Sequence, residues 1–416
     1  MPKWKLYNPE GMQDILFERC YQKKNLENSI RSLMRSNGYR EIETPVIEFY
    51  DVFSNDTQII NQESMFKFVD EKGRILALRP DLTIPTARVV GTKLKEMNLP
   101  VKVSYIGNCF QYNDFGLGKQ REFTQAGIEI FAMNNPFYDA EVISMAIKTL
   151  LLSGVEEFTI ELGQVEFFKG LMEEAKFSDD TIETIRKMIE AKDYFGVEEL
   201  VNESKVNEAI KEQILSLPNY CGDKNTLLEL KNKSLNQRSE RAVDNLLDIL
   251  SILEKYDMTQ YISVDLGMVK KLNYYTGMIF KGLTYGIGFP ILSGGRYDHL
   301  CETYGRPLSA TGFSLGIDAL LTVLQRNETM SDKSSFDTVV MFSEQGRDMG
   351  ILIAHQLREQ GLKVDLIYSE FNLQYAVERN IPGIIYIIDN ENIEITNIED
   401  ATTVKTTVTQ LMGDTK

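Results

Sequence analysis

Two polar side chains on one predicted strand are the first residues of this sequence that could do chemistry. Gln125 and Glu129 lie four positions apart, so on a β-strand they project from the same face, with Gly127 between them. A carboxylate and an amide on a dry sheet face could hold an ammonium or imidazole group, and the glycine would leave room for it. The alternative is a solvated face in which Gly127 marks a bulge.

Two other segments carry residues of the same kind. Asp81 and Thr83 stand at the predicted junction of a strand and a helix, where Asp81 could pair with an α-amino group. Either residue could instead cap the helix. Tyr274 and Tyr275 could line a pocket and donate hydroxyl hydrogen bonds, or they could be core aromatics at a strand edge.

Metal, redox and phosphate-loop chemistry find little support in the sequence. The four cysteines form no C-x-x-C pair, and two distant histidines cannot supply a histidine-based metal site or catalytic triad. We expect no metal, no cofactor, and reduced cysteines. The glycine-rich residues 293–298 indicate a turn at the pair 294–295, but they lack the strand–GxxxxGK[ST]–helix form of a phosphate-binding loop. The residues concerned are Cys20, Cys109, Cys221, Cys301, His299 and His355.

Charge and hydropathy limit the kinds of partner and the compartment expected for this protein. The net charge is −16 and the pI is near 4.8, and no run of interleaved basic and aromatic residues offers a track for nucleic acid phosphates. No apolar run approaches the ~18 residues that span a bilayer, and the start of the chain lacks an apolar signal region. The sequence predicts a cytoplasmic protein that binds neither membrane nor tRNA.

Several predicted elements position the chemistry-bearing residues. Residues 101–129 alternate as a long antiparallel hairpin around a polar, glycine-containing loop. Hydrophobic periodicity predicts a helix that ends at Gly38, and residues 165–258 read as a helical insertion. The remaining predicted elements are strands in 40–48 and 67–78, a helix over 80–95, strands over 262–266, 278–281 and 287–292, a helix over 316–325, and βαβ segments after 336.

Taken in order, these segments resemble the class II histidyl-tRNA synthetases. The match extends over about residues 7–325, and five motifs in family order make chance resemblance very unlikely. They are residues 38–45 (motif one, the dimer interface in that family), 110–129 (motif two), 270–277 (the histidine-specific signature), 293–298 (the glycine-rich GGRYD signature) and 312–320 (motif three).

The departures from the family pattern indicate that catalysis is lost. Gln111 stands where motif two has the arginine that holds the ATP α-phosphate and the amino-acid carboxylate, and Ala319 replaces the arginine of motif three. Lys270 replaces the catalytic arginine of the histidine signature, and Asn273 replaces its aspartate. Each lost electrostatic donor typically costs about a hundred- to a thousandfold in rate, so we expect no useful aminoacylation and no catalytic residues.

The residues of the histidine pocket implied by the resemblance are better retained than the catalytic arginines. Asp81, Thr83 and Gln125 would face the α-amino group, Glu129 and Tyr275 would face the imidazole, and Lys270 would hold the carboxylate as a point charge. The expected histidine-binding set is Asp81, Thr83, Gln111, Gln125, Glu129, Lys270, Tyr274 and Tyr275.

A chain that keeps the histidine pocket but loses the catalytic arginines resembles the synthetase-like regulatory subunits of ATP phosphoribosyltransferase. Residues 78–88 also resemble that subfamily more than the synthetases. The resemblance implies a short-form catalytic subunit as partner, L-histidine as ligand, a homodimer within a hetero-oligomer, and a feedback role in the first step of histidine biosynthesis. The alternatives are a divergent histidyl-tRNA synthetase, or a synthetase-like histidine sensor with another partner.

The expected fold class is α+β, with a class II synthetase-like antiparallel sheet flanked by helices. The predicted domains are residues 1–325 with the insertion at about 165–258, a linker at 326–335, and a small α/β domain over 336–416. That last domain resembles a reduced anticodon-binding domain, but its acidic surface-type residues argue against RNA binding. They are Glu370, Asp389, Glu391, Glu394, Glu399 and Asp400.

Overall fold

The computed structural model describes residues 4–54, 60–112, 120–233, 236–269, 274–327 and 336–413. The chain divides into two compact units, one comprising residues 1–14 and 25–329 and the other residues 15–24 and 330–416. Lys270, Asn273, the motif-two loop at 113–119 and most of the predicted linker lie outside the described residues.

A mixed sheet dominates the first unit. Across the described residues it has nine strands in the order β1-β5-β6-β12-β11-β10-β7-β9-β8. Most neighbours are antiparallel, but β1 pairs with β5 and β7 with β9 in parallel. The strands are β1 (Arg40–Glu41), β5 (Val101–Phe110), β6 (Glu122–Ala132), β7 (Phe158–Gln164), β8 (Cys221–Gly222), β9 (Ile262–Asp265), β10 (Met278–Thr284), β11 (Leu292–Arg296) and β12 (Ser309–Gly316).

Helices cover one face of this sheet and form the insertion. Helices α3 and α9 pack against each other through buried apolar residues at helical spacing, and α3 also packs on the sheet. The helices of this unit are α1 (Phe17–Ser36, which starts in the other unit), α2 (Thr83–Thr92), α3 (Pro136–Leu152), α4 (Val165–Ala175), α5 (Asp179–Glu190), α6 (Tyr194–Glu203), α7 (Glu208–Leu215), α8 (Lys224–Lys231), α9 (Gln237–Lys255) and α10 (Ile317–Arg326).

The other face of the central strands carries small residues. In the register of the sheet, Gly127 lies opposite Ser314, and Ser314 lies opposite Ser293. One row away, Glu129 lies opposite Gly312, and Gly312 lies opposite Gly295. Directly opposed residues in an antiparallel sheet project to the same side, so glycine and serine leave an open floor beside Glu129.

A second, three-stranded sheet in the first unit has the order β2-β4-β3. Its strands are antiparallel, and β3 and β4 form the hairpin predicted for residues 67–78. The strands are β2 (Ile47–Phe49), β3 (Lys67–Val69) and β4 (Ile75–Leu78).

The second unit has its own five-stranded sheet, in the order β14-β13-β15-β16-β17. Strands β13, β14 and β15 are parallel, whereas β16 and β17 are antiparallel additions. Both sheet faces bury apolar side chains. The elements are β13 (Thr338–Phe342), α11 (Arg347–Glu359), β14 (Val364–Tyr368), α12 (Leu373–Val377), β15 (Gly383–Ile387), β16 (Asn392–Asn397), β17 (Thr402–Thr407) and α13 (Val408–Gly413).

The predicted fold class is confirmed, and three local predictions need correction. Residues 287–291 are not a strand, because β11 begins at Leu292 and contains the glycine pair 294–295, which the sequence suggested was a turn. Residues 40–48 split between two sheets rather than forming one strand. Strands β16 and β17 were not predicted, although β16 alternates through Ile393 and Ile395; in β17, Val404 is the one large apolar residue, among threonines and Lys405.

Candidate functional site

Glu129 lies at the centre of the polar face of the first sheet and is 1% exposed. The Tyr105 hydroxyl donates to Glu129 Oε1 at 2.9 Å, and the Tyr297 hydroxyl donates to Oε2. Burial raises the pKa of Glu129 to about 8, although hydrogen bonds from Tyr297, Thr83 and Tyr105 oppose that rise. Glu129 therefore carries a proton near neutral pH and can donate or accept a hydrogen bond.

Glycines make space for this carboxyl group. A Cβ atom added to Gly312 would lie 1.6 Å from Glu129 Oε2, so no larger residue fits beside it without displacing the carboxyl group. A Cβ atom on Gly127 would lie 2.5 Å from both the Tyr105 hydroxyl and the Phe313 carbonyl oxygen. Gly127 thus permits close backbone and side-chain approach within a continuous strand pairing, rather than marking a bulge.

Three tyrosines enclose the same carboxyl group. The Tyr274 ring stacks on Tyr297 with centroids 5.3 Å apart and planes 12° apart, and the Tyr275 centroid is 4.7 Å from that of Tyr274. Burial raises the pKa of all three hydroxyls, and the negative charge of Glu129 raises it further. The hydroxyls therefore stay protonated and available as donors. We call Glu129, Thr83, Tyr105, Tyr274, Tyr275 and Tyr297 the Glu129 cluster.

The Asp81 segment adjoins the Glu129 cluster. The Thr83 hydroxyl lies 3.2 Å from that of Tyr105, and the Asp81 carboxylate raises the pKa of Tyr274, Tyr275 and Glu129 through its charge. The helix-capping alternative has direct support, because Asp81 Oδ1 accepts a hydrogen bond from Ile84 N at 3.2 Å, near the start of α2.

Two glutamines bind the backbone around Asp81. Gln125 Oε1 accepts from Leu82 N at 2.8 Å, and Gln111 Nε2 donates to Pro80 O at 2.7 Å. The structure thus brings both glutamines to the site, but the amide of Gln111 is engaged by the chain itself. Of the eight predicted residues, the structure gathers seven in one region, while Lys270 lies outside the described residues.

Tyr105 and Tyr297 are site residues that the sequence did not single out as ligand contacts. Both hydroxyls bond Glu129, and both rings are 2% exposed. Tyr105 could have been found from the hairpin register, which sets it opposite Gly127. Tyr297 follows Arg296 in the glycine-rich signature, and Arg296 fixes that segment to α3 through a 2.8 Å ion pair with Asp139.

A cavity of about 530 Å³ adjoins the cluster at Tyr275. Its lining includes Ser293 and Lys281, and the ammonium group of Lys281 pairs with Glu161 at 2.6 Å. Tyr194, at the start of α6 in the helical insertion, lies on its wall. The cavity beside Tyr275 is thus large enough to receive a small polar molecule.

The region of the lost arginines offers no such set of contacts. Position 111 holds an amide that is bound to Pro80, and position 319 holds a half-buried alanine whose Cβ is 3.5 Å from one added to Gly316. The nearby Arg121 interacts with Glu10 at 3.8 Å and stacks over Tyr112. Neither 111 nor 319 provides positive charge for a phosphate group.

Within the described ranges, no group of three or more His, Cys, Asp or Glu side chains is arranged to hold a metal ion. The four cysteines are free thiols. No helix in the described part of the chain is both long enough and apolar enough to cross a membrane.

Comparison with known proteins places this arrangement in a family. The sequence profile described as histidyl-tRNA synthetase matches residues 11–320. ATP phosphoribosyltransferase regulatory subunits are similar over nearly the whole chain. The one from Acetivibrio thermocellus is 50% identical over 99% of this chain and 100% of its own length, and the one from Ruminiclostridium cellulolyticum is 46% identical over 100% of each.

Solved structures agree with the sequence comparison. A protein from Bacillus halodurans described as an ATP phosphoribosyltransferase regulatory subunit/histidyl-tRNA synthetase superposes with a TM-score of 0.83 at 30% identity, covering 92% of this chain and 98% of that one. A Nostoc histidyl-tRNA synthetase gives the same TM-score at 20% identity over 98% of each chain, which shows the fold alone. The chain therefore belongs to the family of ATP phosphoribosyltransferase regulatory subunits, which has the fold of histidyl-tRNA synthetases.

Proposed function

We propose that this chain binds L-histidine at the Glu129 cluster and thereby regulates a short-form catalytic subunit of ATP phosphoribosyltransferase, at the first step of histidine biosynthesis. The observation that carries the proposal is a contrast within one site. The buried carboxyl group of Glu129 is hydrogen-bonded by Tyr105 and Tyr297, while the arginines expected at 111 and 319 are absent.

The chemistry of histidine matches the two ends of the site. An imidazole can exchange a hydrogen bond with Glu129 and accept one from a tyrosine hydroxyl such as that of Tyr275. An α-ammonium group fits the Thr83 hydroxyl, which is part of the cluster, and the Asp81 carboxylate beside it. The carboxylate would be held by Lys270 as a point charge. Burial strengthens each of these interactions because water competes less.

Adenylate formation is not part of the proposed function. Displacement at phosphorus depends on positioned positive charge, and the residues at 111 and 319 are neutral. The runner-up function is a divergent histidyl-tRNA synthetase, because the fold is shared with one. That alternative requires histidine-dependent exchange of pyrophosphate into ATP, which the regulatory function does not.

A homodimer within the hetero-oligomer is supported by the three-stranded sheet. Ile47, Phe49 and Phe68 share one face of that sheet and are 47%, 45% and 38% exposed. An exposed apolar face of this kind typically marks a protein interface. We expect Phe49→Glu to convert the dimer to a monomer, as measured by light scattering. A dimer that persists in this variant would show that this face is not the dimer interface.

tRNA is not a partner in this proposal. Residues 336–413 of the second unit carry twelve acidic and five basic side chains. Such a surface repels phosphate, so the unit is better suited to packing against protein than to binding RNA.

Reconstitution tests the regulatory function. The purified chain is mixed with a short-form catalytic subunit, and the joining of ATP to phosphoribosyl pyrophosphate is followed with and without L-histidine. We expect the chain to raise the rate of the catalytic subunit, and L-histidine to lower the rate of the mixture with Glu129 intact. A catalytic subunit that is equally active alone, or a mixture indifferent to histidine, would contradict the proposal.

A further inference from the structure

We infer that Gln111 and Gln125 form an amide clamp that fixes the backbone around Asp81, so that Gln111 positions Asp81 and does not itself bind the carboxylate of the ligand. The ligand half of this inference rests on the proposed binding of histidine. It gives Gln111 a different role from the direct contact that the sequence suggested.

The two glutamines hydrogen-bond the backbone on either side of Asp81. Gln111 Nε2 donates to the carbonyl oxygen of Pro80 at 2.7 Å, and Gln125 Oε1 accepts from the amide of Leu82 at 2.8 Å. Pro80 and Leu82 are the chain neighbours of Asp81 and both are buried. The two bonds thus hold the peptide units that precede and follow Asp81.

The hairpin provides a rigid base for both glutamines. Gln125 lies within β6, and Gln111 follows β5 directly, where its backbone N–H donates to Arg121 O at 2.8 Å. Because the side chains project from paired strands, their amide groups are held at fixed positions. Asp81 is only half-buried, so it remains partly accessible while its two chain neighbours are buried.

Glutamine is suited to this role in a way that the arginine of a synthetase is not. Pro80 is buried, so its carbonyl oxygen needs a hydrogen-bond donor from the protein. A glutamine amide supplies that donor without adding charge, and a glutamine also supplies the acceptor that Leu82 needs. Removing Gln111 leaves a buried carbonyl unsatisfied, which favours local rearrangement of the Asp81 segment.

The clamp predicts which ligands depend on Gln111. Asp81 is expected to bind the amino group, so disordering it weakens only ligands that carry an amino group. Direct contact between Gln111 and the ligand carboxylate predicts the opposite selectivity. Three imidazole compounds separate the two cases: L-histidine has both groups, histamine has only the amino group, and imidazolepropionate has only the carboxylate.

The first experiment is calorimetry of these three compounds with wild type and Gln111→Ala. We expect L-histidine and histamine to bind about tenfold more weakly to the variant, with imidazolepropionate unchanged within about twofold. Weakening of L-histidine and imidazolepropionate but not histamine would overturn the inference in favour of direct contact. Equal weakening of all three, or of none, would also overturn it. The control is Gln260→Ala. It removes a similar hydrogen bond, from the side-chain amide of Gln260 to the carbonyl oxygen of Asp257, at a position far along the chain from Asp81.

The second experiment needs no ligand and therefore separates the clamp from the proposed function. Hydrogen–deuterium exchange of the backbone amides of residues 81–84 and 86 is compared in the two proteins. We expect faster exchange in Gln111→Ala and no change in Gln260→Ala. Unchanged exchange in Gln111→Ala refutes the clamp, even if histidine binds. Conversely, failure of wild type to bind any of the three compounds refutes the proposed function while this exchange still tests the clamp.

Discussion

The two ends of the site differ in what they preserve. At the Glu129 end, a buried carboxyl group is bonded by two tyrosines and a glycine leaves room for it. At the other end, Gln111 binds its own chain and position 319 is an alanine. Under the proposed function, recognition of an amino acid and its activation depend on separate groups, so one can be lost while the other is retained.

The difference follows from what each set of residues has to do. The Glu129 end requires shape and hydrogen bonds that persist in the ground state, and buried polar networks of this kind are costly to leave half-satisfied. The other end would contribute mainly by stabilising charge that develops on phosphate oxygens during reaction. A regulator that binds but does not react has no use for that stabilisation.

The largest expected effect comes from filling the space beside Glu129. A methyl group at position 312 would meet Glu129 Oε2, so Gly312→Ala should abolish detectable histidine binding and lower the free energy of unfolding by about 1–3 kcal/mol. Gly316→Ala is the matched control, because its added Cβ meets only the Ala319 Cβ at an ordinary 3.5 Å. Calorimetry and urea unfolding measure both quantities. Equal histidine affinity and equal stability in the two variants would show that Glu129 is not part of the pocket.

Removing the carboxyl group itself should be nearly as severe. Glu129→Ala deletes the partner of the imidazole and leaves the Tyr105 and Tyr297 hydroxyls without their acceptor. We expect histidine affinity to fall by about a hundredfold, as measured by calorimetry. Glu122→Ala, at the start of the same strand, serves as control. Unchanged affinity in Glu129→Ala would contradict the assignment of the pocket.

A smaller effect should follow from removing one supporting hydroxyl. Tyr297→Phe keeps the ring that stacks on Tyr274 but loses the hydrogen bond to Glu129. We expect about tenfold weaker binding, with little change in the melting temperature. Tyr285→Phe is a suitable control because Tyr285 is 76% exposed. If both variants bind as wild type does, the hydroxyl has no part in orienting Glu129.

The dependence of binding on pH should follow from the raised pKa of Glu129. Free protein holds a proton on Glu129 below a pH of about 8, and free imidazole is protonated below about 6.5. If the complex shares one proton between them, binding releases a proton below pH 6.5 and takes one up above pH 8. Affinity should therefore be flat from about pH 6.5 to 8 and fall outside that window.

Calorimetry at pH 5.5, 7.2 and 8.5 tests this dependence. We expect affinity to be about tenfold lower at pH 5.5 than at pH 7.2, and modestly lower at pH 8.5. In Glu129→Gln the decrease at pH 8.5 should be lost while that at pH 5.5 remains, since only the ligand then titrates. Identical profiles for both proteins would show that Glu129 does not exchange a proton with the ligand.

The smallest expected effect is on catalysis. Restoring arginine at 111 and 319 together should not produce measurable pyrophosphate exchange, because the motif-two loop and Lys270 also depart from the synthetase pattern. Robust exchange in that double variant would mean that the loss of catalysis rests on those two positions alone.

Local periodicity predicted the framework of the site. Alternation gave the β5–β6 hairpin and the shared face of Gln125 and Glu129, because the period of a strand depends only on neighbouring residues. By contrast, the hydrogen bond from Tyr297 to Glu129 joins residues 168 positions apart, and no local pattern reports it. Such contacts arise from the order of strands in the sheet.

Two other features escaped prediction for physical reasons. The glycine pair 294–295 suggested a turn, but glycines suit β11 because the backbones and rings of neighbouring elements, such as Phe280 and Tyr275, lie within 3 Å of where a Cβ would be. The inward bond of Gln111 was also missed, since its partner Pro80 is distant in sequence. The resemblance suggested a contact with ligand there, whereas the structure shows a contact with the chain.

The most direct test of the account measures binding and chemistry on one sample of the purified chain. Calorimetry gives the affinity for L-histidine, and histidine-dependent exchange of pyrophosphate into ATP reports adenylate formation. The account predicts saturable binding with no exchange above background. Exchange at an ordinary enzymatic rate would contradict it, because the residues at 111 and 319 would then be compatible with a working synthetase.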